Sequence, residues 1–192
     1  NCLMPIPLGV LAVAGAGAGA TGSFDLLETT ILGVDAASVT FSNLGNYSAY
    51  KHLQIRHAVR TGRSLQIDVV RLRFNSDAGS NYAMHRIDAD GSSVFAVSAT
   101  STDAVTEAGK ANGNTAPASS FGGAVIDILD FSNTSKNTTT RTLSGALNGS
   151  FERIGLASGL WMNTNAVTSI ELFPQSGPNF LTGSRFSLYG IK

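Results

Sequence analysis

From Phe24 onward the chain alternates apolar and polar residues with a period of two, the spacing of a β-strand with one buried face. Residues 50–60 set Leu53, Ile55, His57 and Val59 against Gln54, Arg56, Ala58 and Arg60. Residues 24–32 read the same way, as do residues 37–42 through Val39 and Phe41. Residues 65–74 also alternate, but their parity shifts: Leu65, Ile67 and Val69 give way to Val70, Leu72 and Phe74. A β-bulge between Val69 and Val70 would produce that shift. The runs NYAMHRID, SSVFAVSAT, GAVIDILDF, NTTTRTLSGAL, FERIGLASGLW, VTSIELF and RFSLYGI follow. Turn-forming residues separate them at 75–79, 90–91, 148–149 and 176–179.

About ten short strands without a convincing helix predict an all-β fold. The expected architecture is a single jelly-roll-like antiparallel β-sandwich over residues 23–192, preceded by an extended N-terminal arm over residues 1–22. Residues 101–120 break the periodicity. Rich in Ala, Ser, Thr, Gly and Asn, they read as a long exposed loop. In the last run, Phe186, Leu188 and Ile191 supply apolar contacts, with a parity change at Tyr189 and Gly190. Gly190 there indicates a bulge or a close backbone approach.

The arm follows a different rule. Leu3, Met4, Ile6, Leu8, Val10, Leu11 and Val13 run into an alternating Gly–Ala tract. A secretory signal would share the apolar stretch and the small residues at 18–20, but no Lys or Arg precedes Lys51. Pro5, Pro7 and five glycines between Gly9 and Gly22 make a poor transmembrane helix. The segment reads instead as an attachment arm. Burying its seven large apolar side chains is worth roughly 10–20 kcal/mol gross. Ordering the backbone costs about 1–2 kcal/mol per residue, so one arm binds weakly and several from one oligomer bind together.

Composition narrows the function classes. Charged residues are 14% of the 192, against about 25% in an average globular protein, and 13 basic residues balance 13 acidic ones. A neutral, sparsely charged surface favours association between copies, and we expect a homo-oligomer, which the resemblance given below makes a trimer. Scattered, balanced charge argues against a nucleic-acid groove, and no membrane span is expected. Cys2 is the only cysteine, so no intrachain disulfide forms.

Candidate chemistry is sparse. His52 and His57 lie five apart on one strand and so face opposite sides; His85 sits near the turn at Asp90. Asp88 and Asp90 begin like a calcium loop, but Ser93 and Ala99 stand where that loop needs Gly and Glu. A looser site would have to share Asp77. Asp127 and Asp130 are three apart, which puts them on opposite faces rather than together as a glycosidase pair. No nucleophile elbow, P-loop, dinucleotide fingerprint or zinc spacing occurs. No catalytic residue, cofactor or metal is expected. Trp161, the only tryptophan, has two readings: a core ring whose N–H reaches a partner, or a platform for a sugar.

One resemblance extends this reading. AVTSIELFPQSGPNFLTGSRFSLYGIK, residues 166–192, resembles a tail found in structural proteins of tailed bacteriophages. SAYKHLQIRHAVRT, LRFNSDAGSNYAMH and ERIGLASGLWMNTNAVTSI look like the same group, so the likeness spans about residues 24–192. MPIPLGVLAVAGAG is similar to the start of predicted proteins of aquatic phages. The resemblance implies a non-enzymatic virion component, a capsid decoration or cement protein or a fibre subunit. Its partners would be capsid or tail components, and assembly would take place in the host bacterial cytoplasm. It brings no catalytic residues. The alternative is a carbohydrate-binding adhesin that meets a host-surface glycan, with Trp161 as the contact.

Overall fold

The structure, a computed structural model, describes residues 22–147 and 152–192. Eight strands form one antiparallel sheet: β1 (Phe24–Ile31), β3 (His52–Val59), β5 (Tyr82–Ala89), β6 (Val94–Thr102), β8 (Gly122–Leu129), β9 (Thr138–Leu147), β10 (Glu152–Trp161) and β12 (Arg185–Ile191). Four form a second: β2 (Val39–Phe41), β4 (Ile67–Phe74), β7 (Lys110–Asn112) and β11 (Ile170–Pro174). The spatial orders are β1-β12-β3-β8-β9-β10-β5-β6 and β2-β11-β4-β7. The fold is thus an all-β, jelly-roll-like antiparallel sandwich with sheets of unequal size. One 3-10 turn, Leu44–Tyr47, is the only helical element among the described residues.

The apolar core lies where the two sheets face each other. Leu53, Ile55, Ile126, Ile128, Phe186 and Leu188 from the large sheet meet Phe41, Val70, Leu72, Phe74, Ile170 and Leu172 from the small one, all fully buried. The chain crosses repeatedly between the layers. The last strand, β12, inserts between β1 and β3, so the two ends of the described chain lie side by side: the Lys192 N–H donates to the Ser23 carbonyl at 3.2 Å.

Two expectations change. The parity shift in β4 is not a bulge, because buried and part-exposed positions alternate without interruption from Ile67 to Phe74, and the ladders with β7 (Ile67–Val69) and β11 (Val70–Phe74) are both regular. Asp68 occupies the inward position that continues Val70, Leu72 and Phe74, and it is fully buried. Its carboxylate accepts from Thr61 Oγ1 and the Gly177 N–H, both at 2.9 Å, which is how a charge survives there. Residues 101–120 are a mostly exposed loop only from Asn114 onward. They finish β6, form β7, and bury Ala104, Val105, Glu107, Ala108, Lys110, Ala111 and Asn112 against the large sheet. Small residues let this segment lie close to the sheet. A Cβ on Gly159 of β10 would stand 2.5 Å from Thr140 Oγ1 and 2.7 Å from Val105. At Gly190 the close approach, not the bulge, is realised: a Cβ there would meet the Tyr50 ring at 2.5–2.7 Å. The irregularity lies on the neighbouring β1, between Leu26 and Glu28. The proposed arm residues Leu3, Met4, Ile6, Leu8, Val10, Leu11 and Val13 lie outside the described residues.

Candidate functional site

Apart from Trp161 at the end of β10, β9 and β10 turn their large apolar side chains away from the core. Their inward positions are Thr138, Thr140, Thr142, Ser144 and Ala146 on β9, and Gly155, Ala157, Gly159 and Trp161 on β10. Their outward positions carry Leu143, Leu147, Ile154 and Leu156, which are 55–63% exposed. Ile87 of β5 and Val94 of β6 extend the same outer face, at 49% and 68% exposure. The cause is on the other side of the sheet. The segment that leads into β7 presses against β9 and β10 and leaves room only for small residues. The large ones, held by strict alternation, must face outward.

Six half-exposed aliphatic side chains leave on the order of 500 Å² of apolar surface, near the upper end for a monomeric protein. The face is not flat. A depression of about 730 Å³ sits where the start of β8, the end of β9 and the start of β10 converge, lined by Phe121, Val125, Leu143, Leu147 and Ile154. Asp90 and Glu152 stand at its rim. A shallower hollow of about 380 Å³ continues along Ile87, Ala96 and Leu156. Charge on this face is light, and beyond the rim it is paired: Arg141 lies 3.5 Å from Asp127, which also accepts from Gln54 at 2.8 Å. Such a surface suits a protein partner's apolar side chains better than a polar substrate.

Beneath the same strands lies a buried ionic cluster. Lys110 of β7, with a side chain 3% exposed, contacts Glu107 and lies 3.3 Å from Asp88 Oδ2. Arg86 contacts Glu107 and places Nε 3.1 Å from Asp88, and Arg153 Nη1 stands 3.8 Å from the same carboxylate. Three cations and two carboxylates therefore tie β5, β10 and the β7 segment together across the sandwich. No hydroxyl or thiol nucleophile takes part, and the arrangement acts as a clasp.

Of the residues singled out from sequence, Asp90, Asp127 and His85 lie on the outer face and Asp88 lies in the ionic cluster, but none of them forms a catalytic or metal group there. Trp161 is 1% exposed and packs on Phe74 and Tyr82; its Nε1–H donates to Asp77 Oδ2 at 2.8 Å. The core reading is the one realised, and the ring offers no face to a sugar. That bond, with those from Asn81 and Gly79, holds the Asp77 carboxyl below its ordinary pKa. Asp77 is thus committed to Trp161, and Asp88 to the ionic cluster. Asp90 folds back on the N–H groups of Ser92 and Ser93 as a turn residue. No cluster of three or more metal-ligating side chains occurs among the described residues. His57 is buried beside the Ala108 carbonyl at 3.2 Å, and burial pushes its pKa down to about 4. His52 accepts from the Asp130 N–H at 2.9 Å, on the opposite face of β3, and His85 is exposed. Asp127 and Asp130 have separate partners: Arg141 and Gln54 for the first, His52 and Lys136 for the second.

The outer face was missed from sequence, although NTTTRTLSGAL carries the signal: threonine and serine alternate with leucine, which leaves open which set faces in. No helix among the described residues is long and apolar enough to cross a membrane. Comparison with protein-family models and with curated proteins finds no match to this chain.

Proposed function

We propose that this protein is a non-enzymatic structural component of a tailed-phage virion, a capsid decoration or cement protein or a fibre subunit, attached through residues 1–22. The observation that carries this reading is the apolar outer face of β9, β10 and β5, a surface suited to holding another protein. The sequence resemblance supports it. Its longest quoted stretch, residues 166–192, supplies β11 and β12, so the likeness falls on a strand paired on both sides in each sheet. In this reading the subunit works in copies, the arm and the outer face meet capsid or tail proteins, and no side chain performs catalysis. With Trp161 buried, the adhesin alternative has lost its stacking residue.

Immunogold labelling of purified particles of the encoding phage tests the proposal. Gold at regular positions on head, tail or fibre is expected. Particles that carry none, with the protein found only in the infected-cell lysate, would reject it.

A further inference from the structure

A sheet edge exposes unpaired N–H and C=O groups, and most edges are blunted against a second strand. Three of the four edges here are blunted. β1 carries Asp25, Glu28 and the irregularity between Leu26 and Glu28; β2 and β7 are three residues long. β6 is different. It pairs with β5 on one side, and among the described residues no strand pairs with its other side. Its sequence, VFAVSATST, holds no charge, no proline and no glycine. The one defect is a register shift near its end, where Ala99 and Thr102 oppose Met84 and Tyr82, so Val94 to Ala99 stay regular.

The hairpin fixes which groups are free. The Asp90 N–H donates to the Ser93 carbonyl, so these two residues form a hydrogen-bonded pair. Alternation in an antiparallel ladder then turns Phe95 and Val97 toward β5 and points the N–H and C=O of Val94, Ala96 and Ser98 off the edge. We propose that this edge joins β6 of a second copy, antiparallel, about a two-fold axis at Ala96. In that register Ala96 faces Ala96 of the second copy and Val94 faces Ser98, and these pairs use every free group of the three residues. Phe95 faces Val97 twice on one side of the joined sheet, and both are about 40% exposed in the single chain. On the other side the alanines continue the apolar outer face beside Ile87. A strand without charge can lie against its own copy without repulsion. A two-fold pairing makes a dimer the unit of association, in place of the trimer expected from sequence. The inference stands independently of the virion reading.

Sedimentation velocity of the full chain across micromolar concentrations tests it, with circular dichroism to confirm folding. The wild type shows a monomer–dimer equilibrium. Ala96→Lys and Ala96→Glu, at an exposed edge position, each weaken the dimer by about tenfold or more, because like charges then meet on the axis. Mixed in equal amounts they restore it, since residue 96 meets itself only in this register. A monomeric or trimeric wild type would overturn the proposal. So would single variants that dimerise like wild type, as expected if the outer face or the arm were the contact. A mixture that stays monomeric would also overturn it.

Discussion

The ionic clasp under β5 and β10 makes an asymmetric prediction. Arg86, Lys110 and Arg153 face Asp88 and Glu107, three positive charges against two negative. Lys110→Met removes one cation and leaves the charges balanced. Both carboxylates keep an arginine, and the methionine fills the space of the lysine stem. Glu107→Gln leaves three cations around a single carboxylate and strips Lys110, 3% exposed, of one of its two partners. Removing one partner of a buried pair costs about 3–5 kcal/mol, and we expect Glu107→Gln in that range. Lys110→Met should cost about 1–2 kcal/mol, because no uncompensated charge stays behind. For a domain of this size each kcal/mol moves the melting temperature by about 2–4 °C. Urea unfolding followed by tryptophan fluorescence measures both, with the buried Trp161 as the sole reporter. The double variant should cost less than the sum of the singles by about 1–3 kcal/mol, as contacting charges do. If Lys110→Met destabilises as much as Glu107→Gln, charge balance does not govern the clasp and this reasoning fails.

Other predictions follow from single sites. His57 is buried and neutral, with its folded pKa near 4 against an ordinary 6.5, so the unfolded chain binds the extra proton between those values. Its contribution is complete above about pH 6.5 and is lost as pH falls to 4, worth about 3 kcal/mol; His57→Gln should flatten that part of a urea-midpoint profile. Trp161→Phe removes the bond to Asp77 and should cost about 1–2 kcal/mol by circular dichroism, while the Asp77 carboxyl titrates closer to its ordinary value in carboxyl NMR. Gly190→Ala should cost about 1–3 kcal/mol by overpacking the Tyr50 ring, and most of that cost should vanish in a Tyr50→Ala background.

Much of the strand layout was legible because alternation is a local property of the sequence. β3, β10 and β12 fall inside the runs that announced them, and β5 and β8 overrun theirs by one residue each. Facing is not local. In β4 a buried aspartate took the position that pattern reading reserves for an apolar residue, and the result mimicked a bulge. In β9 and β10 the leucines face outward because a distant segment, residues 103–112, fills the space on the inner side. That segment could not be recognised either. Its sequence, DAVTEAGKAN, mixes small and charged residues with a single large apolar side chain and resembles a solvent loop, while its burial depends on the small residues of the strands it covers. The ionic clasp joins Arg86 and Asp88 to Glu107, Lys110 and Arg153, and only the sandwich brings these together. Trp161 was legible as to chemistry, a ring needing an N–H acceptor, but not as to partner, since Asp77 lies 84 positions away.

The adjacency of β1 and β12 gives the large sheet a direction. β1 forms one edge of the sheet and β6 the other, seven strand spacings away. At about 4.8 Å per spacing that is about 34 Å along the sheet, spanned by rows of backbone hydrogen bonds with no flexible joint between them. A subunit gripped at its first strand would hold its β6 edge at that fixed reach. The sheet would then act as a spacer: the number of strands sets how far from its point of attachment each copy meets the next.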